Sequence, residues 1–350
     1  MNREKRKIDH IHHAIHTGQH RLHGFEDVRF VHNSLPDTNV DGTQIETKIG
    51  ELTLSSPIFI NAMTGGGGKE TEHINHALAE IANECGLALA VGSQMSAIKN
   101  TKEESTYRIV RKRHPKGKIF ANLGSEATVD QAKKAVDMLE ADAMQVHLNI
   151  IQELVMPEGD RHFSGALRRI EALVKELEVP VIVKEVGYGM TKETVKKLEE
   201  IGVPIVDVGG YGGTNFSRIE NKRRSRELAF FDEWGITTVT SLAEVASSVP
   251  SLSIIGSGGI QTSLDVGKSI ALGASATGMA GYFLKVLVDE GQEAVIEEVH
   301  HLHKELKMIM TAVGATSIEE LKQAPVVLSG DSYHWLNQRG IDTTAFARRS

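Results

Sequence analysis

Four polar residues crowd one short stretch of the chain: His147, Asn149, Gln152 and Glu153. A carboxylate such as Glu153 suits a hard cation like Mg2+, with waters and ligand phosphates completing the shell. The His-x-Asn-x-x-Gln-Glu spacing is not a zinc pattern of the HExxH kind. The bland alternative is a hydrogen-bonded interior histidine beside a solvated acid at a helix start. Glycine-rich turns form a second group. Gly256-Ser257-Gly258-Gly259-Ile260 and Thr277-Gly278-Met279-Ala280-Gly281 could bring backbone N–H groups close to a phosphate. Gln261 stands where a dinucleotide fingerprint needs its third Gly, and Glu70 replaces the hydroxyl residue that would complete a P-loop after Lys69. Lys184 closes the apolar run Val181-Ile182-Val183. It could stabilise an anionic flavin or a phosphate, or pair with Glu185 or Glu153, since an unpaired buried ammonium is costly. Near the amino terminus, Arg3, Arg6 and Lys7 stand with His10, His12, His13 and His16. That tract could bind metal, form a flexible basic tail, or act as a lid clamping phosphate through bidentate Arg contacts.

Eight apolar runs must position these groups: Pro57–Asn61, Leu87–Val91, Lys118–Asn122, Ala143–His147, Val181–Lys184, Ile205–Val208, Leu252–Gly256 and Ala274–Gly278. They are rich in Val, Ile, Leu and Ala without polar alternation, as parallel strands covered on both faces require. Helix-like stretches separate them, at Glu72–Cys85, Val129–Leu139, Leu167–Leu177, Glu193–Ile201, Leu242–Ser248 and Ser263–Leu272. Ser241 with Glu244 reads as a capping box for the helix within Gly235–Ser248. The fold class is therefore α/β, a single (β/α)8 TIM-barrel domain over residues 1–350. It divides into an extension or lid at 1–56, the barrel at 57–281, and carboxy-terminal helices and tail at 282–350. Within the extension Asp41-Gly42 predicts a hairpin turn. After the barrel, Glu293–Val313 predicts one long helix before a polar tail. Gly209–Glu233 is too long for a simple connection, and such loops are usually functional. Candidate site residues then fall at the carboxy-terminal strand ends, where barrels of this kind keep their chemistry.

The composition narrows the function further. Among 350 residues, 39 are basic and 46 acidic, giving a formal charge of -7. That balance argues against non-specific nucleic-acid binding, yet leaves room for an anionic ligand held by local amides. Cys85 is the only cysteine, which suits a reducing compartment. No apolar run approaches the ~20 residues of a membrane span, and Met1–His23 lacks the apolar core of a signal peptide. A cytoplasmic enzyme is expected.

The ordered set Arg6-Lys7-Ile8-Asp9-His10, Ala62-Met63-Thr64-Gly65-Gly66, His147-Leu148-Asn149 with Gln152-Glu153, Gly212-Gly213-Thr214-Asn215 and Gly258-Gly259-Ile260 resembles type 2 isopentenyl-diphosphate isomerases over nearly the whole chain. Gly209 departs from the family, which usually has Ser before the Gly. The resemblance implies FMN at the barrel mouth, touched by Ala62, Met63, Thr64, Ser93, Asn122, Lys184, Thr214, Gly258, Gly259, Ile260, Ala280 and Gly281. It implies substrate contacts from Arg6, Lys7, His10, Ser93, Gln94, Met95 and Gln152, and Mg2+ on Glu153. NADPH would be the reductant, and the assembly a homotetramer or homo-octamer.

The expected reaction interconverts isopentenyl and dimethylallyl diphosphate in isoprenoid biosynthesis. A five-carbon alkene has no polar handle near its reacting atoms, so the diphosphate must supply the positioning energy. Moving the double bond adds a proton at the terminal carbon and removes one at C2. No carboxylate or cysteine pair is arranged for both steps, so reduced FMN is the expected acid/base. Gln152, His147 and Asn149 are the catalytic candidates from this chain. The rival is an FMN-dependent 2-hydroxyacid dehydrogenase or oxidase, but Tyr211-Gly212-Gly213-Thr214 stands where that family usually has His-Gly-Gly-Arg.

Overall fold

A computed structural model describes residues 23–349. Arg3, Arg6, Lys7, His10, His12, His13 and His16 lie outside the described residues.

Eight parallel strands close into a barrel: β1 (Ile58–Ile60), β2 (Leu89–Ala90), β3 (Ile119–Gly124), β4 (Ala143–Leu148), β5 (Val181–Glu185), β6 (Ile205–Asp207), β7 (Ser253–Ser257) and β8 (Ala276–Met279). Each falls within or next to one of the eight apolar runs. β8 pairs with β1, with Met279 opposite Ile60, and that contact closes the ring. Helices Lys69–Cys85, Val129–Leu139, Ala166–Glu176, Lys192–Glu200, Thr238–Ala246 and Ser263–Ala271 cover the outside. Their apolar stripes form one large core with the outward faces of the strands. Two further helices carry weaker sequence signals. Ser105–Arg113 is largely charged, and Gly281–Asp289 begins directly at the end of β8.

Inside the barrel the side chains form layers, because alternate strand residues point inward. Phe59, Phe120, Ala143, Ile182, Ile205, Ile255 and Ala276 make a dry floor. Phe59 and Phe120 meet edge to face at 5.6 Å. Two residues further along the same strands come Asn61, Asn122, Gln145, Lys184, Asp207, Ser257 and Gly278, all buried. One step along each strand therefore turns an apolar floor into a polar layer.

The extension differs from its expected form in two ways. Asp41-Gly42 lies in a single 3-10 turn, where the Gly42 N–H donates to Asn39 Oδ1 at 2.8 Å. The hairpin forms instead from Thr47–Ile49 and Leu52–Leu54, reversing at Gly50 with φ +55°. Nor does this hairpin act as a lid. Ile49 and Leu54 join the dry floor, Thr47 Oγ1 donates to the Ser275 carbonyl, and the Gly50 N–H donates to Ser253 Oγ. The hairpin thus plugs the end of the barrel opposite the active-site mouth.

Two other expectations change. Helix Thr238–Ala246 is capped by Thr237, whose hydroxyl accepts from the Thr240 N–H, so Ser241 lies inside it. Ser241 and Glu244 make tertiary contacts instead: Ser241 Oγ donates to the Met190 carbonyl at 2.6 Å, and Glu244 pairs with Arg339 at 2.9 Å. The polar tail is ordered structure. Val326–Leu328 pairs antiparallel with Val28–Phe30, and helices Gly330–Gln338 and Thr344–Ala347 follow. The long helix runs Gln292–Val313, as its periodicity predicts.

Candidate active site

A cleft opens over the polar layer at the carboxy-terminal strand ends. Of the expected flavin contacts, Ala62, Met63, Ser93, Asn122, Lys184 and Thr214 line it, as do Gly258, Gly259, Ile260, Ala280 and Gly281. Met95, His147, Asn149, Gln152 and Glu153 line it as well. Two candidates are not brought there. Thr64 Oγ1 donates to Asn75 Oδ1 at 2.5 Å beneath the cleft. Gln94 is wholly buried against helix Val129–Leu139, its amide donating to the Ala135 carbonyl and accepting from the Asn122 N–H.

The loops after β6 and β7 are built around their glycines. Gly258 and Gly259 have φ of +108° and +77°, a region that L side chains rarely adopt. A Cβ on Gly258 would strike the Gly210 carbonyl, and one on Gly259 would strike Gly212. Backbone therefore packs on backbone, leaving a flat wall of peptide groups. The N–H groups of Gly259 and Ile260 find no backbone or side-chain acceptor among the described residues. Gly209, at φ +46°, has no room for a hydroxyl either, since its Cβ would fall on the Glu185 carbonyl.

Two helices start near this wall, and they differ. Helix Ser263–Ala271 is sealed by its own capping box: Asp265 accepts from the N–H groups of Gln261 and Thr262. Helix Gly281–Asp289 has no side-chain cap, so its first N–H groups face outward with no intrahelical acceptor. The open N–H groups that could meet an anion are therefore those of Gly259, Ile260 and the start of the second helix.

Lys184 lies at the centre. Its ammonium sits 3.2 Å from Asp207 Oδ2, 3.1 Å from Ser257 Oγ and 2.9 Å from the Glu185 carbonyl. Neither Glu185 nor Glu153 is its partner: the counter-charge is the fully buried Asp207. Asp207 also accepts from Asn61 Nδ2 at 2.7 Å, the Gly209 N–H at 3.1 Å and the Ser257 hydroxyl. Sequence reasoning missed Asp207 and Gln145 and treated Asn61 and Ser257 only as parts of strand ends. The signal was present in the spacing: each lies two residues beyond a floor residue on its own strand.

Glu185 points away from the cleft. Burial pushes its carboxyl up to about 7, against the N–H groups of Tyr188 and Gly187 that stabilise its charge. Helix Ile150–Val155 carries Gln152 and Glu153 directly after β4. Glu153 Oε1 accepts from Asn149 Nδ2 at 3.0 Å, and Oε2 accepts from the Asp160 N–H at 2.7 Å. No cluster of three His, Cys, Asp or Glu residues suited to a metal occurs among the described residues. Glu126, Phe216 and Tyr282 also line the cleft without a prior sequence signal.

The comparisons with known proteins agree with this geometry. The model of the FMN-dependent dehydrogenase family matches residues 109–328. An isopentenyl-diphosphate delta-isomerase of Geobacillus sp. (strain WCH70) is 58% identical over 349 residues, covering all of both chains. One of Bacillus cytotoxicus is 61% identical over the same span. Among solved structures, mandelate oxidase with (S)-2-phenylpropionate superposes with a TM-score of 0.67 at 16% identity, covering 93% of this chain and 94% of that one. That likeness speaks to the fold alone.

Proposed function

Because the chain belongs to the FMN-dependent dehydrogenase family and to the isopentenyl-diphosphate delta-isomerases, we propose that it interconverts isopentenyl and dimethylallyl diphosphate. The single observation that carries the reading is the cleft itself. A buried cation, a flat glycine wall and two sets of open N–H groups converge on one side of it.

The residues present fit FMN. Gly259, Ile260 and the N–H groups from Gly281 onward would hold its phosphate. Gly258 and Gly259 leave no side chain between the wall and a flat ring, and Met63 and Ala62 border the same space. Lys184 and Asn122 lie beneath, where a cation and an amide can meet a polar heterocycle. When bound and reduced, FMN supplies proton donation and acceptance at N5.

The chain's own groups orient the substrate beside it. Gln152 stands on the first turn of its helix, facing the cleft, and would align the alkene or pass a proton. A neutral amide is a weak base, so its part is positioning. His147 and Asn149 border the same space. Glu153 would hold Mg2+ with waters and the substrate diphosphate completing the shell, since no cluster of three His, Cys, Asp or Glu residues surrounds it among the described residues.

Arg6, Lys7 and His10 would clamp the diphosphate from outside. What supports this is where the described chain begins. His23, the first described residue, packs against Gly212 at the mouth. NADPH as reductant rests on the resemblance to the family. A homotetramer or homo-octamer would have to cover Phe230 and Trp234, which are 66% and 55% exposed. No helix among the described residues is long and apolar enough to cross a membrane, in keeping with a cytoplasmic place.

The test is direct. Anaerobically reduced holoenzyme is given isopentenyl diphosphate in deuterated water, and deuterium is sought in dimethylallyl diphosphate. Turnover by flavin-free protein would overturn the acid–base part. Gln152→Asn should lose turnover while retaining FMN; unchanged turnover would remove Gln152 from the mechanism. Oxidation of lactate in place of isomerisation would favour the 2-hydroxyacid oxidase alternative.

A further inference from the structure

A line of side chains crosses the barrel beneath the cleft, and its polarity runs one way. Asp207 Oδ2 accepts from Asn61 Nδ2 at 2.7 Å, and Asn61 Oδ1 accepts from Gln145 Nε2 at 3.1 Å. Gln145 Oε1 in turn accepts from Asn122 Nδ2 at 3.0 Å. Asn122 Oδ1 lies 2.9 Å from His147 Nδ1. A carboxylate paired with an ammonium can only accept at this end of the line, and that fixes which end of the first amide faces it. Asn61 is anchored twice, because its Oδ1 also accepts from the Ala62 N–H at 2.8 Å. Turning it over would set oxygen against carboxylate and NH2 against N–H. With Asn61 fixed, Gln145 must present NH2 to it and oxygen to Asn122. Asn122 must then present its oxygen to His147. An amide oxygen cannot donate, so the proton must sit on Nδ1.

We infer that the Lys184–Asp207 pair, acting through Asn61, Gln145 and Asn122, sets the tautomer of His147. In its neutral form the imidazole then carries its proton on Nδ1, and Nε2 is its acceptor nitrogen. Gln145 and Asp207 are positioning residues in this arrangement; they act through His147 without lining the cleft. The participants share burial: Gln145 and Asp207 are fully enclosed, and Asn61 and Asn122 nearly so. Water cannot replace a missing link cheaply in such a place. The inference concerns the protein's internal hydrogen bonding, so it stands or falls independently of which substrate is turned over.

The experiment labels histidine with 15N in the FMN-loaded enzyme at about pH 8, above the ordinary range of an imidazole. Comparison with His147→Gln identifies the signals of His147. Wild type should show a protonated, pyrrole-type Nδ1 and a bare, pyridine-type Nε2. In Gln145→Met the amide link is gone, and the two signals should move toward each other as the tautomers mix. In Gln145→Glu a protonated carboxyl can donate to Asn61 and accept from Asn122, so the wild-type pattern should return. A wild-type His147 protonated on Nε2 would overturn the inference outright, even if the Met variant fails to fold. An unchanged pattern in a folded Gln145→Met would overturn the relay by showing that Asn122 alone decides the tautomer.

Discussion

The two ends of this barrel are made from the same strands and do opposite things. At the sealed end, Phe59, Phe120, Ile182, Ile205 and Ile255 pack against Ile49 and Leu54 of the hairpin plug, with no polar side chain in the cluster. At the open end, two residues on, Asn61, Asn122, Lys184, Asp207 and Ser257 form a continuous hydrogen-bonded layer. The first kind of layer is stabilising without needing exact partners, because apolar burial is non-directional. The second tolerates burial only because nearly every group has a partner, and it is costly to break piecemeal. The sealed end holds the barrel closed so that the open end can keep charge out of water.

Substitutions on the two sides should separate these roles. The largest effect is expected for Phe120→Ala, which empties part of the floor and should cost about 3–5 kcal/mol by denaturant titration. FMN affinity of the fraction that remains folded should change little. A large change in affinity would show that floor and mouth are not separable.

Glu185→Gln comes next and concerns pH. The folded carboxyl is raised to about 7 from an ordinary 4.5, so the folded state holds a proton that the unfolded chain has released. Stability should therefore fall as pH rises from 4.5 through 7, by up to roughly 3 kcal/mol, and stay low above. The Gln variant should flatten that slope in melts taken across the window.

Lys184→Met should weaken FMN binding by about 10- to 150-fold, the loss of one charge-assisted hydrogen bond of about 1.5–3 kcal/mol. Fluorescence titration of flavin-free protein reads this directly. Unchanged affinity would confine Lys184 to its pairing with Asp207.

The smallest effect lies on the sealed side. His303 bonds Ser56 Oγ at 2.8 Å just before β1, and burial pushes its imidazole down to about 4, with His300 and Lys307 adding to the shift. Its folded pKa is below the unfolded value, so stability should be lost as pH falls from 6.5 toward 4. His303→Gln should reduce that loss by on the order of 1 kcal/mol. The two ends thus have opposite pH slopes, one losing stability as pH rises toward 7 and the other as it falls below 6.5.

The barrel was legible in the sequence because parallel strands buried on both faces leave unbroken apolar runs such as Val181-Ile182-Val183. The strand-end residues were legible for the same reason, once the barrel fixed where function must sit. Asp207 was not, because a lone acid after Ile205-Val206 looks like an ordinary strand end until the closed ring brings Lys184 beside it. Thr64 and Gln94 turn their side chains away from the cleft, which motif membership does not tell. Ser241 and Glu244 carried a capping-box spacing that serves tertiary contacts instead. The plug was hidden because Asp41-Gly42 is the stronger turn dipeptide, while the actual reversal at Gly50 depends on contacts with β7 and β8.

The short antiparallel pairing of Val28–Phe30 with Val326–Leu328 joins segments at nearly opposite ends of the sequence. Such a contact is the slowest kind to form, since the intervening chain must be gathered before the two can meet. On the ribosome, all eight barrel strands emerge before Val326 does. A nascent chain can thus assemble the ring while Val28–Phe30, and with it His23 beside Gly212, is still unfastened. Stitching that segment down is among the last acts of synthesis, and a chain released early would carry a formed barrel with an untethered entrance.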